Sequence, residues 1–160
     1  MIALVRVDDR LIHGQVVTQW ISYTQTNIIY IVDDLLANDP IMKNMLVNLA
    51  PAATVVKVVT TQAACENMNK VADNPELKAM ILTNTTKPLL EMVKAGIKID
   101  RIVLGGMGAR NDRKRIAKTV AVTEAEKGEI EALLSMGLEV VCHTVPYTAC
   151  VDAKDALKNW

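Results

Sequence analysis

Phenylalanine is absent from this 160-residue chain, and aromatic residues make up only 3% of it. A core built almost without rings has to be filled by Val, Ile, Leu, Ala and Met, which suits parallel strands covered on both faces by helices. Net charge is absent too: 18 Lys and Arg balance 18 Asp and Glu. No overall field therefore favours nucleic acid or an anionic lipid surface. The three cysteines, Cys65, Cys142 and Cys150, are odd in number and widely spaced. They form no metal-ligand pattern with His13 and His143 and no secreted disulfide framework, so idle thiols and no metal are expected. The start of the chain lacks a basic segment followed by a long apolar stretch. No run reaches the roughly 18 apolar residues of a membrane span, so a soluble, cytoplasmic protein is expected.

Apolar runs alternate with helix-period segments along nearly the whole chain. Strands are predicted over Ile2–Val7, Asn27–Val32, Thr54–Val59, Lys78–Leu82, Ile102–Leu104, Thr119–Val122 and Glu139–His143. Helices are predicted over Gln15–Tyr23, from Pro40 (capped by Asp39) to about Ala50, and from Thr60-Thr61 to Asp73-Asn74-Pro75. Two more are predicted, Lys87–Ala95 stopped by Gly96, and one opened by the capping box Thr123-Glu124-Ala125-Glu126 and closed at Met136 before Gly137. No repeat, linker or low-complexity tract divides the chain, so one domain over residues 1–160 is expected. That length buries about two-thirds of the surface of the unfolded form. The predicted architecture is a single-domain open twisted α/β sheet, mostly parallel, with helices on both faces.

In such sheets ligands bind at the carboxyl ends of the strands. Polar or glycine-rich segments follow four predicted strands: Asp8–His13, Asp33-Asp34, Thr83–Thr86 and Gly105–Arg110. The first is the richest in chemistry. Asp8-Asp9-Arg10-Leu11-Ile12-His13-Gly14 joins a strand to a helix, and first-turn N–H groups with no intrahelical partner make such a junction an anion site. An imidazole near neutral pH keeps one nitrogen free as a nucleophile. A phosphoryl group on His13 would gain charge-assisted bonds from Arg10 and from the amides around Gly14. Arg6, Asp8, Asp9 and Arg10 also alternate closely enough to pair with one another. Gln15 and Thr18 read as packing or surface groups, and Trp20 as an anchor of the helix.

Gly105, Gly106 and Gly108 permit close backbone approach before Arg110, as a phosphate loop needs, but an ordinary tight turn fits equally. The run is neither G-x-G-x-x-G nor a P-loop, so nucleotide binding has weak support. Arg113-Lys114-Arg115 reads as a solvated basic face or a contact for an acidic partner, and His143 as a packed or rim histidine.

Asp8-Asp9-Arg10-Leu11-Ile12-His13-Gly14-Gln15-Val16 resembles the active-site signature of the IIB component of the mannose–fructose–sorbose family of the bacterial phosphoenolpyruvate-dependent sugar phosphotransferase system. Asp33-Asp34, Gly105-Gly106-Met107-Gly108 with Arg110, and Lys118–Thr123 extend the likeness. It implies an open sheet of about six parallel strands plus one antiparallel strand. It implies a protein-phosphohistidine–sugar phosphotransferase with no cofactor, in which His13 is phosphorylated at its δ1 nitrogen and Arg10 holds the phosphoryl group. Arg6, Asp8, Asp9, Gly14, Gln15, Gly105, Gly106 and Arg110 would bind the group or support the loop. The implied partners are a IIA donor, the membrane subunits IIC and IID that carry the sugar, and no nucleic acid, with peripheral attachment to the transporter. Chains of this kind often dimerise, so a homodimer is also open. Two other readings stand beside this one: a nucleotide- or phosphosugar-binding module using Gly105–Arg110, and a regulatory subunit that does not turn over.

Overall fold

The computed structural model describes residues 1–160, apart from the side chains of Gln15 and Val16. Its frame is a seven-stranded sheet in the order β3-β2-β4-β1-β5-β8-β9. The strands are β1 (Ile2–Val7), β2 (Ile28–Val32), β3 (Val55–Val59), β4 (Ala79–Thr83), β5 (Arg101–Leu104), β8 (Glu139–Cys142) and β9 (Val151–Asp152). The first six are parallel, and β9 alone runs antiparallel, against β8. A separate antiparallel pair, β6 (Lys114–Ala117) and β7 (Val120–Val122), stands off this sheet. The apolar run predicted at Thr119–Val122 is therefore a strand outside the main sheet. Only Lys118 and Thr119 separate it from β6, and so short a link permits a hairpin but no helical crossover.

Strand alternation splits the core in two. Val5 and Val7 of β1, with Ile28, Tyr30 and Val32 of β2, join the cluster under α4 (Thr61–Asp73), α5 (Lys87–Lys94), α6 (Glu124–Ser135) and α7 (Ala153–Ala156). Leu4, Ile29 and Ile31 face the other way, against α1 (Gly14–Thr24) and α3 (Pro40–Asn48). This period of two is what a sheet covered on both faces requires. Arg6 shares the parity of Leu4, so a guanidinium occupies a core position on the α1 face.

The helix boundaries follow their caps. Asp39 accepts from the amides of Ile41 and Met42 ahead of Pro40, and Thr60 accepts from Ala63. Thr123 and Glu126 form the complete capping box, a reciprocal pair that satisfies two end amides at once. Short α2 (Asp34–Asn38) and α7 also start at aspartate caps, Asp33 and Asp152, but with β9 they are too short for a periodic apolar pattern. The loops after β1, β2, β4 and β5 all leave from one rim of the parallel sheet, with β1 flanked by β4 and β5 at its centre.

Candidate active site

The loop from Asp8 to His13 is held from below by two ion pairs, of which Arg6–Asp8 is buried on both sides. The Arg6 side chain is 1% exposed. It donates to an Asp8 carboxylate oxygen at 3.0 Å and to the His143 carbonyl at 2.9 Å, and lies 5.5 Å from the Trp20 ring centre. Burial pulls the Arg6 pKa below its ordinary value, against the opposing pull of Asp8. Asp8 has further bonds: its other oxygen accepts from the Arg10 amide at 3.2 Å, and the first accepts from the Gly106 amide at 3.2 Å. An unpaired carboxylate could not be buried this way, because desolvation would force it neutral.

Asp9 is tied in the opposite direction. It accepts from Arg113 Nη1 at 2.7 Å and from the Gly108 amide at 2.8 Å. Arg113 also bonds both oxygens of Glu126, at 2.6 and 2.9 Å. Burial would lower the Arg113 pKa, but the bonds to Glu126 and Asp9 outweigh it and the net shift is upward. The expected solvated run at 113–115 therefore needs correction: Arg113 is buried, and only Lys114 and Arg115 face water. Arg113 already has two carboxylates to satisfy it.

The glycines explain how these groups fit. A Cβ on Gly105 would fall 2.0 Å from the Arg6 guanidinium carbon, and one on Gly106 would fall 2.9 Å from an Asp8 oxygen. The space that a phosphate loop keeps open for a ligand is here filled by Arg6 and Asp8. Arg110 pairs at 3.4 Å with Asp112 on the exposed surface and does not line the cleft beside the loop.

Above this base, His13 is the N-cap residue of α1 and its side chain is 23% exposed. No side chain caps the helix there, so the first-turn amides remain available. The ring Nδ1 lies 3.1 Å from the Leu11 carbonyl and 3.7 Å from an Asp8 oxygen. In the neutral ring that contact places the proton on Nδ1 and leaves Nε2 as the bare nitrogen. Leu11 has φ +55°, a left-handed conformation that a branched side chain adopts only under constraint. The hydrogen bond from the Leu11 amide to the Asp8 carbonyl (3.0 Å) and the burial of the Leu11 side chain supply it.

Arg10 differs from its neighbours. Its side chain is exposed and makes no hydrogen bond or ion pair among the described residues. It lines a cleft of about 320 Å³ with Asp8, Asp9, Gly106, Arg115 and Thr119. A small oxyanion in that cleft would meet the guanidinium groups of Arg10 and Arg115, while Arg6, which also lines it, is paired with Asp8.

Comparison with known proteins gives the family. The family described as PTS system sorbose subfamily IIB component matches residues 2–160. The N-acetylgalactosamine-specific phosphotransferase enzyme IIB component 2 of Escherichia coli (strain K12) is 32% identical over 151 residues, 94% of this chain and 95% of that protein. The mannose-specific EIIAB component of the same strain is 32% identical over 143 residues, 88% of this chain but 43% of its own length. The solved IIBSor domain of the sorbose permease from Klebsiella pneumoniae superposes with a TM-score of 0.88 at 29% identity, covering 99% of this chain and 96% of that one.

The chain belongs to the sorbose-type IIB family of the sugar phosphotransferase system. Arg6, Arg10, Asp8 and Gly106 line one cleft, with Gly105 against the Arg6 guanidinium, while His13 and Gly14 line a second recess; Asp9 turns to Arg113, and Arg110 stands apart. The supporting part expected of Gln15 lies outside the described residues. Sequence reasoning missed Arg115, which sits on the β6–β7 hairpin more than a hundred positions from His13, and the buried pair Arg113–Glu126. The capping box gave Glu126 a local role that hid its second one. Among the described residues no helix is long and apolar enough to cross a membrane, and no cluster of three or more His, Cys, Asp or Glu could hold a metal. The Cys142 thiol is pushed up to about 11 by burial and by Asp152, so it is protonated near neutral pH and no nucleophile.

Proposed function

We propose that this IIB chain carries a phosphoryl group on His13 between a IIA protein and a sugar. The observation that carries the reading is a partly exposed imidazole at a helix N-terminus with no side-chain cap, three positions along the same loop from an arginine with no carboxylate partner among the described residues. In the first step an imidazole nitrogen of His13 attacks the phosphorus of a phosphohistidine on the donor. A new N–P bond forms, the donor's N–P bond breaks, and the departing donor imidazole takes up a proton. In the second step a sugar hydroxyl oxygen attacks the same phosphorus, its proton is lost, and His13 leaves as the neutral ring. Positioning and charge neutralisation do most of the work in such transfers, and Arg10 with the first-turn amides of α1 supplies both.

The Leu11 carbonyl holds the resting ring in its tautomer, and Asp8 is already neutralised by Arg6, so it does not repel the incoming dianion. The nitrogen expected to take the phosphoryl group, Nδ1, faces Leu11 in the resting ring. Transfer to it requires a half-turn about the Cβ–Cγ bond, a broad torsion in histidine, and movement of the ring proton from Nδ1 to Nε2, so that Nδ1 holds the lone pair that attacks. The chain then works in the cytoplasm and visits membrane subunits IIC and IID, which bring the sugar.

The test is labelling with phosphoenolpyruvate, the general phosphotransferase proteins and a cognate IIA. The expected product is an acid-labile, base-stable label on the wild-type chain and none on His13→Ala. Equal labelling of His13→Ala would place the chemistry elsewhere. Nucleotide affinity with no labelling would favour the nucleotide-binding module instead, and neither result would favour a regulatory subunit.

A further inference from the structure

We propose that the exposed apolar stripe of α3, formed by Ile41, Met42, Met45 and Leu49, is the docking surface for the IIA protein that phosphorylates His13. The inference rests on the function proposed above for that histidine. Four observations support it.

The first is where apolar surface is left open. Seven of the twelve large hydrophobic side chains exposed among the described residues fall between positions 35 and 55. Ile41 is 74% exposed, Met45 55% and Leu49 54%, whereas α3 buries only Leu46. Isolated exposed hydrophobics need no explanation, but a contiguous group marks a contact surface.

The second is helical spacing. Positions 41, 45 and 49 recur every four residues, and Met42 stands three before Met45, so the four side chains lie along one face of the helix and its C-terminal cap. Lys43 is the only charged residue between Pro40 and Asn48. Such a stripe fits an apolar partner surface, and two methionines let it conform to a partner shaped independently of this chain.

The third is continuity with the histidine. Leu49 and Pro51 line one shallow recess of about 390 Å³ together with Ile12, His13, Gly14 and Val17. A protein resting on Leu49, the C-terminal end of the stripe, borders the recess that holds the imidazole. The occupant must therefore leave after each transfer, which a permanently paired second copy of this chain does not do.

The fourth is the relative named EIIAB, in which the stretch similar to this chain makes up 43% of the polypeptide. An A part tethered to a B part meets it at a high effective concentration, so a small patch suffices for productive encounter.

Met45→Glu and Ile41→Glu test the proposal, since both positions are open to solvent and the substitutions leave the core untouched. Transfer from phospho-IIA, at concentrations below half-saturation, is expected to fall at least tenfold in either variant. Labelling of His13 by phosphoramidate, a small-molecule phosphoryl donor that needs no docking, is expected to stay within twofold of wild type. Protein-dependent transfer at the wild-type rate would overturn the docking surface while leaving His13 as the carrier. So would loss confined to binding of vesicles that contain IIC and IID, or sedimentation showing a dimer that only Met45→Glu dissociates. A parallel fall in phosphoramidate labelling would mean that α3 acts on the ring rather than on a partner. Undiminished label on His13→Ala would instead strike the carrier reading itself, so the two failures are distinguishable.

Discussion

Four arginines surround the loop that follows β1, and they divide into two pairs by burial alone. Arg6 and Arg113 have side chains 1% exposed, and each is bonded to a buried carboxylate, Asp8 and Glu126 respectively, with the more exposed Asp9 as a second partner of Arg113. Arg10 and Arg115 line the open cleft and meet no carboxylate among the described residues. The same planar cation thus serves two ends. Where it is paired with a carboxylate it fixes the backbone, and where it is not it remains able to receive an anion. The sequence interval between the classes can be small, since Arg6 and Arg10 are one turn of loop apart.

The contrast is broken most severely by removing Arg6. Arg6→Met leaves Asp8 buried and uncompensated, and urea titration should show a loss of about 3–5 kcal/mol. A loss under about 1 kcal/mol would mean that Asp8 reaches water and that the pair is no foundation. Arg10→Ala is the complementary case. The transfer rate from phospho-IIA should drop by about 10²–10³-fold, as for loss of one preorganised donor. The unfolding midpoint should barely move, within about 0.5 kcal/mol of the parent. If stability fell and transfer did not, Arg10 would belong with the buried pair. Gly105→Ala sharpens the comparison more gently. The new methyl group meets the Arg6 guanidinium at 2.0 Å, and overpacking of this kind costs about 1–3 kcal/mol. Thermal melts of Gly105→Ala alone and combined with Arg6→Met would show the two effects to be non-additive, because Arg6→Met removes the group with which alanine collides.

What was legible in the sequence follows the range of the forces involved. The capping box at Thr123, the Asp39–Pro40 helix start and the stop at Gly96 are local chemistry, and the helices begin and end where those residues put them. The alternation of strand and helix gave the parallel sheet, because burial on both faces leaves long apolar runs. The opening of α1 at His13 was equally visible, since a strand, a charged turn and a helix follow one another within twenty residues. The partners of Asp9 were not visible. Its alternating charges suggested local pairing, whereas its carboxylate bonds Arg113, 104 positions away. Two-residue β9 and five-residue α2 are too short for a periodic signal. Gly105 and Gly106 kept two meanings until Arg6 and Asp8 were seen to occupy the space that both glycines leave.

The ties beneath the loop also order events in time. Arg6 is secured by the carbonyl of a residue 137 positions later, and Asp9 by a guanidinium 104 positions later. Synthesis delivers the amino-terminal end first, yet His13 lacks its footing until nearly the whole polypeptide has been made and closed upon itself. Contacts of such high order form slowly. A nascent or partly collapsed chain therefore presents the histidine without its setting, and the finished geometry around it is among the last features the molecule acquires.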